Sequence, residues 1–250
     1  MKPFEELLAS SAKEHGHLCP GQVVGVRMAM LGCRLIGLDD PTTHDQIKKL
    51  IVFVEMDRCT ADSVAHVTGA KLGRRSLKFA DYGIMAATFV NLETGKAFRI
   101  LSTEEARDLV DLYAPGVQGK VRQQLEAYQR MPDSVLFRVQ KVDVDLQRSD
   151  LPGPTSRKAT CMKCGQVVRD GREVVVDGVT LCKPCAQGAY FKNGREIVWE
   201  DMNWSPLKRE TAEDPEFPRM AVREPQPIGI LHRKGTEEES TTHRKAANIH

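Results

Sequence analysis

Residues 20–37 read PGQVVGVRMAMLGCRLIG, and this stretch decides the fold. Proline suits the first turn of a helix, where its missing N–H is no loss. Apolar residues then occupy most positions through Ile36, so the helix is apolar on most sides and must be buried. Gly37 supplies the left-handed residue that ends it. A buried helix needs elements packed around it, and the flanking sequence offers both kinds. Upstream, Phe4, Leu7, Leu8 and Ala12 have helical spacing within residues 4–16. Downstream, LIVFVEM at 50–56 is a short β-branched-rich run typical of a buried strand. DRCTADSVAHVTG then reads as a loop feeding a short helix that stops at Gly69.

Farther on, AATFVNL and KAFRIL flank Glu93-Thr94-Gly95, the pattern of a hairpin whose turn needs a positive φ at glycine. Ser102-Thr103-Glu104-Glu105 is a capping-box pattern opening a helix through about Tyr113. A further helix spans roughly Gly119 to Arg130, before Pro132. VLFRVQKVDVDL alternates apolar and polar residues as a half-exposed strand does. The expected architecture is α+β, a mixed sheet packed with helices over residues 1–147, followed by a small zinc-ribbon domain. A polar Pro/Gly linker occupies 148–158 and the ribbon 159–207, where a segment with Trp199 and Trp204 packs onto one of the domains. Residues 208–250 are charged and proline-dotted, the composition of a disordered tail.

A chain of 250 residues suits one moderate domain with an appendage. The formal net charge of +2 is too small to argue for nucleic acid or a membrane surface. No apolar run approaches the roughly 20 residues of a spanning helix, and the acidic N-terminus lacks an apolar signal core. A cytoplasmic location without membrane association is the expectation. The seven cysteines are odd in number and unevenly spaced, which favours reduced thiols and metal ligation over a disulfide scaffold.

Four of them carry the strongest motif. Cys161, Cys164, Cys182 and Cys185 form C-x2-C, seventeen residues, C-x2-C. Each CxxC turn aims two sulfurs at one point, and two turns supply the tetrahedron of thiolates that zinc prefers. The β-rich stretch between them can form the hairpin that returns the second pair to the first. A redox or vestigial cluster is the alternative, but it leaves so small a module without a core. Structural zinc would contribute roughly 10–16 kcal/mol of folding free energy at neutral pH. No dense basic-aromatic patch points to nucleic acid.

The second motif is HGHLCPG, residues 15–21. With Cys19 as N-cap of the helix starting at Pro20, its thiolate faces unsatisfied N–H groups and the positive end of the helix dipole. His17 is two residues away. Cys59 follows the strand LIVFVEM, with Asp57 and Asp62 beside it. If that strand end meets the helix start, His17, Cys19 and Cys59 converge as three mixed N/S ligands with an open fourth position, the pattern of a catalytic or substrate-binding metal site. The alternative is a small buried cysteine and a solvated loop histidine. Cys33 reads as core, His66 as structural and His44 as a surface residue at a turn. In TGAKLGRRSLKFADYG, Lys71, Arg74 and Arg75 could meet an anionic ligand; a solvated surface loop is the alternative.

HGHLCPG, EMDRCTADSVAHVTGAKLG and LKFADYGIMAATF occur in the same order as in the FmdE family, which this chain resembles and which is named for a protein encoded with molybdenum formylmethanofuran dehydrogenase. The resemblance covers roughly residues 10–145. It implies an α+β core whose cleft gathers His15, His17, Cys19 and Cys59 with Asp62 nearby, a bound metal and a homodimer. The family pattern G-K-G-N-L is here Gly73-Arg74-Arg75-Ser76-Leu77, and a lysine usual after D-Y-G is Ile84. Where those residues touch a pterin or anionic substrate in relatives, a different ligand is expected here. The sequence thus suggests a metalloprotein with structural zinc in the ribbon and zinc or another transition metal in the N-terminal pocket. Its role would be accessory to a molybdenum or tungsten enzyme, or a transformation in one-carbon chemistry. In a catalytic reading the metal polarises a carbonyl or activates water, and Asp62 or His15 handles protons. The rival readings are a non-catalytic protein- or nucleic-acid-binding module and a metal-delivery or metal-sensing protein.

Overall fold

In the computed structural model the described residues are 1–194; the expected packing of Trp199 and Trp204 and the expected tail at 208–250 lie outside them. Helix α1 (Phe4–His15) ends at Gly16, whose φ of +95° is open to glycine. Helix α2 (Pro20–Ile36) has Cys19 as its N-cap residue and Gly37 at φ +77° as its stop. A four-residue helix, α3 (His44–Ile47), leads into strand β1 (Leu50–Val54), and α4 (Cys59–Thr68) follows. Strands β2 (Leu77–Phe79), β3 (Ala86–Asn91) and β4 (Ala97–Ser102) come next. Then come α5 (Glu105–Asp108), α6 (Val110–Tyr113), α7 (Lys120–Arg130), α8 (Asp133–Leu136) and β5 (Phe137–Lys141).

The five strands form one sheet in the order β2-β1-β3-β4-β5. β1 runs parallel to β2, with Val52 opposite Leu77, and the other pairs are antiparallel. This is the mixed sheet of an α+β protein. α2 lies against one face, burying Val23, Val26, Met28 and Cys33 together with Val52, Phe89 and Ile100. Gly32 is where it comes closest: a Cβ there would run into the Phe89 ring. Burial of these side chains, at about 1.5–3 kcal/mol each, is the main source of stability.

Three local expectations are corrected. The helix expected from 102 to 113 is two short pieces interrupted at Leu109, because Ser102 stays in β4 and Thr103 Oγ1 does the capping, accepting from Ala106 N at 3.2 Å. The strand expected over 135–146 pairs only from Phe137 to Lys141. Beyond it the same alternation turns Val142, Val144 and Leu146 onto the outer face of the sheet, over Ile51, Val90 and Ala97. Finally, the basic glycine-rich stretch contains β2, a three-residue edge strand too short to show a period.

At the end of β1, buried Glu55 accepts two hydrogen bonds from Arg99, each 2.7 Å, and Arg99 also donates to Gln140 at 2.8 Å. Those bonds to Glu55 hold the Arg99 guanidinium above its usual range. The glutamate that opens EMDRCTADSVAHVTGAKLG therefore fastens strands.

The cysteine module has two small hairpins, β6 (Lys158–Thr160) with β7 (Val167–Arg169) and β8 (Val174–Val176) with β9 (Val179–Leu181), followed by α9 (Lys183–Gln187). Residues Met1–Lys192 form one compact unit. Within it, Arg75 donates to the carbonyls of Ser149, Gly153 and Pro154 at 3.1–3.3 Å and pairs with Asp170 at 2.9 Å. Asp150 meets Arg172 at 2.8 Å and Lys78 at 3.8 Å. Among the described residues no helix is long and apolar enough to cross a membrane.

Candidate functional site

Three helix ends build the N-terminal site: the end of α1, which carries His15, and the starts of α2 and α4, which carry Cys19 and Cys59. Glycine decides how closely the two starts approach. Gly21 and Gly25 are four residues apart on α2 and therefore share a face. A Cβ at Gly25 would sit 2.6 Å from Ser63 Cβ and 2.7 Å from the Thr60 carbonyl, and one at Gly21 would sit 3.0 Å from Cys59 Cβ. Polar groups then fix the register. Gln22, fully buried, donates to the Cys59 carbonyl at 2.9 Å and accepts from Ser11 at 2.5 Å. Ser63 donates to the same carbonyl at 3.1 Å, and Thr60 to the Gly21 carbonyl at 3.3 Å.

On this frame, ligand atoms of His15, His17 and Cys19 lie within 4.8 Å of one another. The two imidazole rings are 4.7 Å apart at 39°. Zinc bonds of about 2.0–2.3 Å put the corners of a tetrahedron roughly 3.3–3.8 Å apart, within a small side-chain adjustment of this set. His15 Nδ1 is 3.0 Å from Asp62 Oδ2, while its Nε2 is buried with no hydrogen-bond partner. Metal-bound histidines are commonly held in this way, by a carboxylate on one ring nitrogen while the other meets the metal. The donor set and the orphaned atom fit a transition metal.

Cys59 stands beside Cys19 without joining the three-atom set. Its thiol is pushed up, first by burial and then by the neighbouring Cys19 thiol. Of the expected ligands His17, Cys19 and Cys59, the structure gathers His17 and Cys19 into one close set with His15, while Cys59 stands beside Cys19 outside that set. Cys19 makes no side-chain cap hydrogen bond with α2, so its sulfur is not spent on the helix. Cys33 is wholly buried core and His44 is exposed at the start of α3. Lys71, Arg74 and Arg75 do not gather: Arg75 holds the linker, while Lys71 and Arg74 line separate cavities. A link that spacing could not announce is His66, which joins Ser10 (2.8 Å) and Glu14 (2.5 Å) across α1 and α4.

In the C-terminal module the four cysteine sulfurs lie within 4.8 Å of one another, with Cys164 and Cys182 3.7 Å apart. Gly165, at φ +72°, lets the first knuckle turn, and its N–H bonds the Cys161 carbonyl. Cys182 caps α9, and Cys185 lies within that helix. The Cys161 thiol is pulled down to about 6, chiefly by the Cys182 backbone N–H, whereas Cys185 is pushed up to about 12, chiefly by the neighbouring Cys182 thiol. Four thiols this close cannot all ionise without a cation, and zinc removes that conflict.

An α+β core holding a His/Cys cluster, joined to a four-thiol module, defines a metal-binding protein with a C4 zinc finger. The FmdE profile, described as "FmdE, Molybdenum formylmethanofuran dehydrogenase operon", matches residues 14–143, more than half of the chain, and the chain belongs to that family. The "Prokaryotic dksA/traR C4-type zinc finger" profile matches residues 153–191. A probable S-adenosyl-L-methionine-binding protein of Archaeoglobus fulgidus is 28% identical over 211 residues, covering 77% of this chain and 56% of that protein. The chain thus spans about half the length of this curated relative. The crystal structure of an FmdE-like protein of the tungsten formylmethanofuran dehydrogenase type, from Syntrophus aciditrophicus, matches 75% of this chain and 94% of its own, at 17% identity and a TM-score of 0.49.

Proposed function

We propose that this chain is a cytoplasmic accessory metalloprotein of one-carbon metabolism, serving a molybdenum or tungsten enzyme of the formylmethanofuran dehydrogenase type. Its working site binds zinc or another transition metal through His15, His17 and Cys19, while the C4 module holds a second, structural zinc. The observation that carries the metal reading is the buried, unpartnered Nε2 of His15. Left without a partner, such a nitrogen costs about 1–3 kcal/mol; coordination would satisfy it. Asp62 accepts a hydrogen bond from Nδ1–H and so favours the tautomer that presents Nε2. Cys59 stands outside the three-atom set, leaving one coordination position for a ligand from solution. A metal bound there would supply Lewis-acid polarisation of a carbonyl or activation of water. The family's description supports the link to the dehydrogenase.

Metal content per chain tests the site. Purified wild type should carry two metals, His15→Ala and Cys19→Ser one, and Cys161→Ser one. A wild-type content of one, unchanged in His15→Ala, would refute the N-terminal site.

A further inference from the structure

Arg75 stands in a left-handed turn, at φ +60°, a conformation that glycine adopts freely and an arginine rarely does. Its side chain crosses to the chain that enters the C4 module. Nη1 donates to the Ser149 carbonyl at 3.2 Å, and Nη2 to the carbonyls of Gly153 and Pro154 at 3.1 and 3.3 Å. Nη1 also pairs at 2.9 Å with Asp170, the residue after β7. One guanidinium of the core thus meets both the linker and the module. Asp150 of the linker makes a second such junction, with Arg172 of the module at 2.8 Å and Lys78 of β2 at 3.8 Å. The same linker borders a cavity of about 950 Å³. Its Leu151, Pro152 and Gly153 line that cavity together with Ile47, Lys48, Arg74 and Leu92 of the core.

We propose that Arg75 is the latch of a strap: it holds residues 149–154 against this cavity and seats the C4 module on the core, and its release frees the strap while module and core stay folded. A residue in a sparsely populated backbone conformation persists only where its surroundings hold it there. The four partners of the guanidinium supply that hold, which is why arginine can stand where the turn favours glycine. The planar fork matters as much as the charge. Three carbonyls and a carboxylate can share one guanidinium because its N–H donors point in fixed directions, whereas a lysine ammonium is a point charge on a flexible stem. The latch is partly buried, with Arg75 and Asp170 only 18% and 21% exposed, so salt screens it little. The cavity lies in the size range of small-molecule sites, roughly 300–1,000 Å³, and the latch governs access to it from the linker side. None of this depends on a metal at the N-terminal cluster.

The test is site-resolved amide hydrogen exchange of the full-length, zinc-loaded protein, for wild type, Arg75→Gly, Arg75→Lys, Asp170→Asn and Arg74→Ala. Arg75→Gly suits the left-handed turn and removes the latch. The amides of Asp150 and Leu151, bonded to the Gln147 and Arg148 carbonyls, should then exchange about tenfold faster or more, as local opening requires. The amides of Cys161 and Gly165, bonded within the first knuckle, should stay protected, with zinc content and the melting of the core unchanged. Arg75→Lys should open the strap nearly as far, because charge alone does not replace the fork. Asp170→Asn keeps the carbonyl bonds and should open it less. Arg74→Ala, a neighbouring arginine on the cavity wall, should match wild type. Unchanged exchange at Asp150 and Leu151 in Arg75→Gly, full protection in Arg75→Lys, or equal acceleration in Arg74→Ala would each overturn the latch. An effect of Asp170→Asn as large as that of Arg75→Gly would overturn it by reducing the fork to one ion pair. Loss of zinc, or of protection at Cys161 and Gly165, in Arg75→Gly would overturn it by making Arg75 a support of the module's own fold.

Discussion

The two cysteine-bearing clusters assemble by opposite routes. In the C-terminal module each ligand pair comes from one tight knuckle, so four sulfurs meet through local chain geometry and little else. The N-terminal cluster needs α1, α2 and α4 to pack correctly before His15, Asp62, Cys19 and Cys59 meet. The first offers four thiols and no vacancy, the mark of a structural zinc; the second offers two imidazoles and one thiol, which leaves room for chemistry. A locally encoded site stabilises its own small module. A site assembled from distant elements draws its precision from the core that holds it.

The largest way to break this contrast is Cys161→Ser. Zinc supplies about 10–16 kcal/mol to such modules, so residues 153–191 should unfold and become sensitive to protease while the FmdE core keeps its cooperative melt. Because the thiols must lose protons to bind, zinc affinity of the wild-type module should fall as pH drops below 7, with proton release measurable on titration. Gly25→Ala strikes the other route. Its Cβ has no space against Ser63 and Thr60, so overpacking should cost about 1–3 kcal/mol, lower the melting temperature of the core, and weaken the N-terminal metal while the C4 site is untouched. Smaller again is Asp62→Asn, which keeps the size but removes the charge that orients His15. Loss of such an orienting partner weakens metal affinity by about 10–100-fold, readable by competition with a chelator, with the fold unchanged.

Legibility in the sequence follows the same division. The C-x2-C pairs, the Pro20-to-Gly37 helix and the Glu93-Thr94-Gly95 hairpin were readable because their signals are local. The contact of His15 with Asp62 spans 47 residues and has no periodic signature. Family resemblance could gather these residues into one cleft, but only geometry distinguishes His15, with its orphaned nitrogen, from Cys59, whose thiol leans on Cys19. β2 escaped because three residues cannot show alternation, and 142–146 misled because a segment covering a sheet alternates just as a strand within it does. Lys71, Arg74 and Arg75 looked like one basic patch, yet the turn sends them to three places.

The most direct test of a two-imidazole, one-thiolate site is the cobalt(II) spectrum of Cys161→Ser and of the Cys161→Ser/Cys19→Ser double variant. Cysteine-bound cobalt gives a thiolate charge-transfer band in the near ultraviolet. With the C4 site disabled, the single variant should bind one cobalt at the N-terminal cluster, show one thiolate's worth of that band, and lose it in the double variant. A Cys161→Ser protein with no thiolate band beyond that of the double variant would contradict a metal held by Cys19.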